Sequence, residues 1–331
     1  MKKIILLTIA LFATTLAFAQ NFGTTQFATL SRNDSIIGTF YGSDAFMTAY
    51  NVSIDSDVIV LSAGYFNLNT YEINKKISIR GVGYDTASSV ETIPTYLRSA
   101  GGHPYTEFWN ITYMEGVYCI TDIRIRGSNC RFNKCRFNVI NPDLYGNNYT
   151  QCTFTNCFIT NWYSTIHSTI FTNCVILNST STADDIYNNC IIGISPELTN
   201  YKEIHNSITF SNDTTGIGNA TNVYNTVGIR AQDTTQFYTN REGRNNQTFH
   251  SFSSIFKTFN GTYTEGETFE LQDNIANTLF GSDSTQIGIY GGALPFNSRV
   301  TDPRITGHSV DLHSNANGQI NVYIDLRDSN N

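Results

Sequence analysis

The chain has 331 residues and a formal net charge of −7, with 40% hydrophobic and 14% charged residues. The charged fraction is too low for a coiled coil and the apolar fraction too high for a disordered chain. The acidic balance gives no general attraction to phosphate backbones, so nucleic acid is not an expected partner.

In chain order, Met1 to Ala19 reads as a secretory signal. Lys2 and Lys3 form a basic start, Ile4 to Leu16 an apolar core, and Ala17-Phe18-Ala19 a small-residue cleavage site before Gln20. No later stretch reaches about 18 apolar residues, so the mature chain carries no expected transmembrane segment. The expected location is secreted: periplasmic, outer-surface or extracellular. Two strand-like runs follow, Ser56 to Phe66 and Lys76 to Gly83. Asn and Thr make up roughly a quarter of the chain, which favours strands and turns throughout.

The middle of the chain repeats. Phe132-Asn133-Lys134-Cys135-Arg136-Phe137 returns as Phe154-Thr155-Asn156-Cys157-Phe158-Ile159 and as Phe171-Thr172-Asn173-Cys174-Val175-Ile176. It returns again as Tyr187-Asn188-Asn189-Cys190-Ile191-Ile192 and fades through Ile204 to Thr209 and Val223 to Gly228. The steps are 22, 17, 16, 17 and 19 residues, a solenoid period. In register, Phe132, Phe154, Phe171, Tyr187, Ile204 and Val223 form an apolar column. Cys135, Cys157, Cys174, Cys190, Ser207 and Thr226 form a small-residue column. Asn156, Asn173, Asn189, Asn206 and Asn225 precede it, at turns where Asn tolerates left-handed backbone and stacked amides can bond from coil to coil. The seven cysteines read mostly as buried core thiols, with Cys130 and Cys152 the best candidates for a disulfide.

Residues 230 to 270 are less regular. Phe280 to Gly292 contains D-x-T-x-I-G-x-Y-G-G, whose glycines read as turn formers. Beyond Pro295 two strands are expected, Ser309 to His313 and Gln319 to Leu326, around an Asn-Gly turn.

These motifs resemble those of right-handed parallel β-helix repeat proteins of the pectin-lyase-like superfamily, secreted bacterial type. Such proteins commonly open with a short helix, a GD-x-I-x-L-x-x-G-x-Y strand and a strand ending in G-x-G, which makes Asp44 to Tyr50 the implied capping helix with Asp44 as its N-cap. Ser56 stands where the family usually has Gly. The closing segment also looks like that of secreted bacterial members. The resemblance implies an all-β fold: one right-handed parallel β-helix with an N-terminal cap helix and a C-terminal hairpin extension. The corresponding boundaries are 1–19 signal, 20–54 cap, 55–295 β-helix and 296–331 extension. The resemblance carries fold rather than function.

Lyases of this fold typically use calcium-binding acids and an Arg or Lys base. The nearest match is Asp122, Arg124 and Arg126, which strand alternation turns outward, with Arg136 on a nearby strand. Calcium is implied only if the protein is a lyase; no other cofactor is expected. The ordinary alternative is a charged exterior strand. Asp184 and Asp185 are adjacent, face opposite ways on a strand and read as a surface turn. Trp109, Tyr113, Trp162, Tyr163 and His167 fall near turns, where rings stack on sugars or pack under loops. The six histidines have no zinc-ligand spacing.

Phe158, Val175, Ile191, Ile208 and Val227 form an apolar column that alternation places outside. An exposed stripe implies a cover. The C-terminal hairpin or a partner protein would supply it, unless a register shift turns the column inward. Three functional readings follow: a non-catalytic glycan- or partner-binding or structural β-helix, a polysaccharide lyase or related enzyme, and a subunit or passenger of a surface assembly.

Overall fold

The computed structural model describes residues 26–70, 72–85, 93–99, 104–141, 151–163, 166, 168–179, 185–194, 203–211, 222–230, 245–249, 251–300, 304–310 and 322–327. His167, Asp184 and the signal segment lie outside these residues.

Among the described residues the chain is nearly all β and winds into a parallel β-solenoid of about 7 turns. Two long sheets form its walls, one of eleven strands and one of thirteen, here called sheet I and sheet II. Each regular coil gives a short strand to sheet I, turns a two-residue corner and gives a second strand to sheet II. Arg131–Asn133 and Arg136–Ile140 make one such coil, and Thr153–Thr155 and Phe158–Trp162 stack on it in parallel register.

The N-terminal end is closed by an antiparallel hairpin, Phe27–Arg32 and Ser35–Tyr41, whose first strand also pairs antiparallel with Val58–Leu61. Beside it the helix Ala45–Val52 buries Ala45, Phe46, Ala49 and Tyr50. Asp44 occupies the N-cap position, but its side chain does not cap the helix. Its carboxylate instead accepts the amides of Asn67 (2.9 Å) and Asn69 (3.0 Å), which tie the helix to the first coil.

The lumen is filled by the predicted columns. Phe132, Phe154, Phe171 and Tyr187 stack ring on ring with centroids 4.7, 5.0 and 4.9 Å apart, and Ile204 and Val223 continue the column. Each fully buried ring contributes about 1.5–3 kcal/mol relative to exposure. The corner residues Lys134, Asn156, Asn173, Asn189, Asn206 and Asn225 all have φ between 47° and 53°. This left-handed backbone is tolerated best by Asn among residues with side chains.

The small-residue column has a sharper chemical reason than size. The thiols of Cys135, Cys157, Cys174 and Cys190 donate to the carbonyl two residues back at 3.2–3.3 Å. Ser207 and Thr226 do the same with hydroxyls at 2.7 and 2.9 Å. Cys174 Sγ and Ser207 Oγ also accept the N–H of the equivalent residue one coil earlier. Cys, Ser and Thr interchange because each is a short donor and acceptor that satisfies the corner backbone. All seven cysteines are free and buried, Cys130 and Cys152 included.

The last parallel strand is Gln247–Phe249. Residues 251–300 then run back along the outside of the solenoid. They contain a single turn of 3-10 helix at Phe252–Ser254, a short helix at Asp273–Ala276 and otherwise irregular chain. The extension pairs Arg304–Val310 with Val322–Arg327, antiparallel. The first strand starts at Arg304 rather than Ser309, with Arg304 opposite Arg327, and the expected Asn-Gly turn lies outside the described residues.

Candidate functional site

Phe158, Val175, Ile191, Ile208 and Val227 lie outside the lumen. They form a second apolar cluster, separate from the one inside the coils, and each is at most 3% exposed. The cover is the chain's own segment 251–300 rather than the C-terminal hairpin. Tyr263 packs its ring 4.5 Å from that of Phe158, and Ile255, Phe256, Phe269 and Ile287 join the cluster. Gly288, at φ 78°, brings its backbone so close to Ile208 that a Cβ would stand 3.0 Å from Cδ1. Arg136 lies under the same cover. Its guanidinium holds both oxygens of Glu265 at 2.8 and 2.9 Å and stacks over Tyr118 at 4.5 Å.

The asparagine corners are where this cover fastens. Asn173 Nδ2 donates to the carbonyls of Ile289 (2.8 Å) and Gly291 (2.7 Å). Asn206 Oδ1 accepts the N–H of Ser282 at 2.9 Å, and the Asn206 carbonyl accepts the N–H of Gly288 at 2.8 Å. Coil-to-coil amide bonding, expected along the whole ladder, is made by Asn245 to Asn225 at 2.9 Å, whereas Asn173 and Asn206 serve the docked segment. Within that segment the D-x-T-x-I-G-x-Y-G-G motif folds on itself. Asp283 accepts Thr285 Oγ1 at 2.8 Å, and Thr285 accepts the N–H of Gly292 at 2.6 Å.

Asp122, Arg124 and Arg126 do lie on one strand, Asp122–Ile125, and at its end. The two guanidiniums converge on Glu107, which is 0% exposed on the neighbouring strand. Arg126 meets Glu107 Oε2 at 3.0 Å and Arg124 meets Oε1 at 3.7 Å. Trp109 Nε1 donates to the same carboxylate at 3.2 Å. Arg124 also stacks over Tyr105 at 3.5 Å, and Asp122 accepts the amide of Asn141 at 3.2 Å. This is a buried ion-pair cluster between adjacent coils, and Arg136 stands on a different part of sheet II, opposite Tyr118.

The turn aromatics separate. Trp109 is half-buried on the Glu107 cluster, and Tyr163 is half-buried with its hydroxyl on Asn161 at 3.1 Å. Trp162 is 0% exposed and lies inside the coil, edge-on to Phe154 and Phe171, so it is no surface platform. Its Nε1 donates to Asp185 Oδ2 at 3.0 Å. Asp185 is likewise 0% exposed, with Tyr187 donating at 3.3 Å, and so is not part of a surface turn. Asp185 stands five residues before Cys190. That is the place held by Cys130, Cys152 and Thr169 in the preceding coils, an inward polar corner.

The open polar surface is the outer face of sheet I. Two in-register columns run along it. One passes through Tyr113, Arg131, Thr153, Ile170, Ile186, Glu203 and Asn222. The other passes through Glu115, Asn133, Thr155, Thr172, Asn188, His205 and Tyr224. Most are half-exposed. His205 stacks on Tyr224 at 5.1 Å and meets Glu203 at 3.3 Å. At the Tyr113 end the docked segment rises beside the face and closes a cleft of about 530 Å³. Its floor is Tyr113, Arg131, Asn133, Thr153 and Thr155; its wall is Ala293 to Pro295 and Asn297. Asn133 Nδ2 donates to Glu115 at 2.7 Å and to the Tyr113 hydroxyl at 3.2 Å, and burial raises the Tyr113 phenol pKa.

Among the described residues no cluster of His, Cys, Asp and Glu is placed to hold a metal ion, and no helix is long and apolar enough to cross a membrane. No protein-family model matches the chain, and no curated protein and no solved structure matches it.

Proposed function

We propose that the protein is a secreted or cell-surface β-helix that binds an extended glycan on the outer face of sheet I without turning it over. The signal-like Met1 to Ala19 supports the address, as does the resemblance of the motifs to those of secreted bacterial pectin-lyase-like proteins. The observation that carries the binding role is the pair of in-register columns on that face, polar except at Ile170 and Ile186. Strands repeat at about 4.8 Å, so a polymer lying along the solenoid axis meets a hydroxyl, amide or ring at every coil.

The arginines of the lyase reading, Arg124 and Arg126, are held by Glu107 in a nearly closed cluster. The apolar column that motivated a docking edge is occupied by residues 251–300. Both observations favour the binding role over the other two readings. The test is retention of the mature protein on immobilised polysaccharides, compared with Thr172→Trp and Asn188→Trp. Each variant puts a bulky ring on the face and leaves the lumen untouched. Loss of retention in both variants, with unchanged melting temperature, supports the face. Full retention in both removes it.

A further inference from the structure

The cleft beside Tyr113 differs in charge from the rest of the face. Arg131 is exposed on its floor, and among the described residues it takes part in no ion pair. Arg80 approaches from the previous coil, 5.9 Å over the Tyr113 ring. The Glu115 carboxylate on this face is 5% exposed and already accepts Asn133. An exposed arginine outside every ion pair among the described residues is a specific feature in a chain of net charge −7. A second observation points into the same cleft. The Asn156 side chain, 6% exposed, lines it, and its Oδ1 has no hydrogen-bond partner among the described residues. Leu294, 55% exposed, and Pro295 give the wall an apolar surface. The volume of about 530 Å³ suits a short stretch of polymer rather than a folded domain.

We infer that this cleft is an anchoring subsite for a sugar unit bearing an anionic group, carboxylate or sulfate ester. It rests on the glycan-binding reading of sheet I and deepens it. Arg131 pairs with the anion in a two-pronged geometry that lysine lacks. Leu294 and Pro295 pack the apolar face of the ring. The Asn156 Oδ1 is closed to solvent in this structure and accepts a sugar hydroxyl when the exposed wall residue Leu294 shifts aside. The rest of the polymer continues along sheet I over Thr155, Thr172 and Asn188.

The experiment measures affinity of the mature protein and of Arg131→Gln for polygalacturonate, dextran sulfate and uncharged dextran at low and at physiological salt. Arg131 is exposed, so the variant keeps its fold, which a melting curve checks. The expected result is tighter binding of at least one anionic polymer than of dextran. Arg131→Gln weakens that binding about fivefold to tenfold and lowers its salt dependence, with any dextran binding unchanged. The polymer affected assigns carboxylate or sulfate. Equal anionic affinity in both proteins overturns the subsite, as does preference for dextran, and both leave the glycan reading standing. Binding of none of the three polymers, together with no retention in the wider panel, overturns both.

Discussion

The side-chain amide of Asn173 donates to the carbonyl of Gly291 at 2.7 Å, joining residues 118 positions apart in sequence. One corner side chain thus does two jobs. Its backbone sits at φ 51°, and its amide fastens the segment that covers the apolar stripe.

Two substitutions separate the jobs. Asn173→Gly keeps the left-handed corner and orphans the carbonyls of Ile289 and Gly291, for an expected loss of about 2–3 kcal/mol. Asn173→Leu adds a left-handed strain of about 1–2 kcal/mol. Urea unfolding of the two variants gives the difference. Equal stabilities would mean that the corner conformation carries no cost.

Ser56 sits at φ 74° where the resembled family usually has Gly. Ser56→Gly relieves that strain and gives back part of it as unfolded-chain entropy. A net gain of about 1 kcal/mol is expected, read as a higher melting temperature.

Arg32 grips Asp57 through two bonds of 2.9 Å, and the Asp57 side chain is 1% exposed. The guanidinium holds the Asp57 carboxyl below its usual pKa. A carboxyl depressed in the folded state stabilises at neutral pH and loses that contribution as pH falls through the folded value. Asp57→Asn is therefore less stable than the parent at pH 7, and the gap narrows below about pH 4. A gap constant down to pH 2 would refute the ionic origin.

The buried thiols should be silent. Burial pushes the Cys119 thiol well above its usual pKa, and all seven cysteines are buried. A chromogenic disulfide reagent is expected to find none in the native protein and seven after denaturation without reductant. Five after denaturation would instead indicate a disulfide.

Much of the fold is legible in sequence because a solenoid repeats its chemistry. Phe132, Phe154 and Phe171 must stack on one another, so they recur at coil spacing, and the same holds for the corner Asn and Cys. The cover was not legible. Residues 251–300 have no repeat of their own, and contacts such as Arg136 to Glu265 and Asn173 to Gly291 cross more than a hundred positions. What survived in sequence was the need for a cover, read from Phe158 to Val227. Trp162 and Asp185 were misplaced for a related reason. Both sit where a turn was expected, yet each satisfies the other inside the coil, and a polar pair in the lumen leaves no periodic signal. The face of sheet I was harder still, because short polar side chains pointing outward also describe any solvated strand.

The most direct test of the account incubates the mature protein with acidic and neutral polysaccharides, with Ca²⁺ and with chelator. It follows retention on the polymer, reducing ends and ultraviolet absorbance together. The account predicts retention without new ends or unsaturated product. Calcium-dependent formation of unsaturated product, abolished in Arg124→Ala, would contradict it.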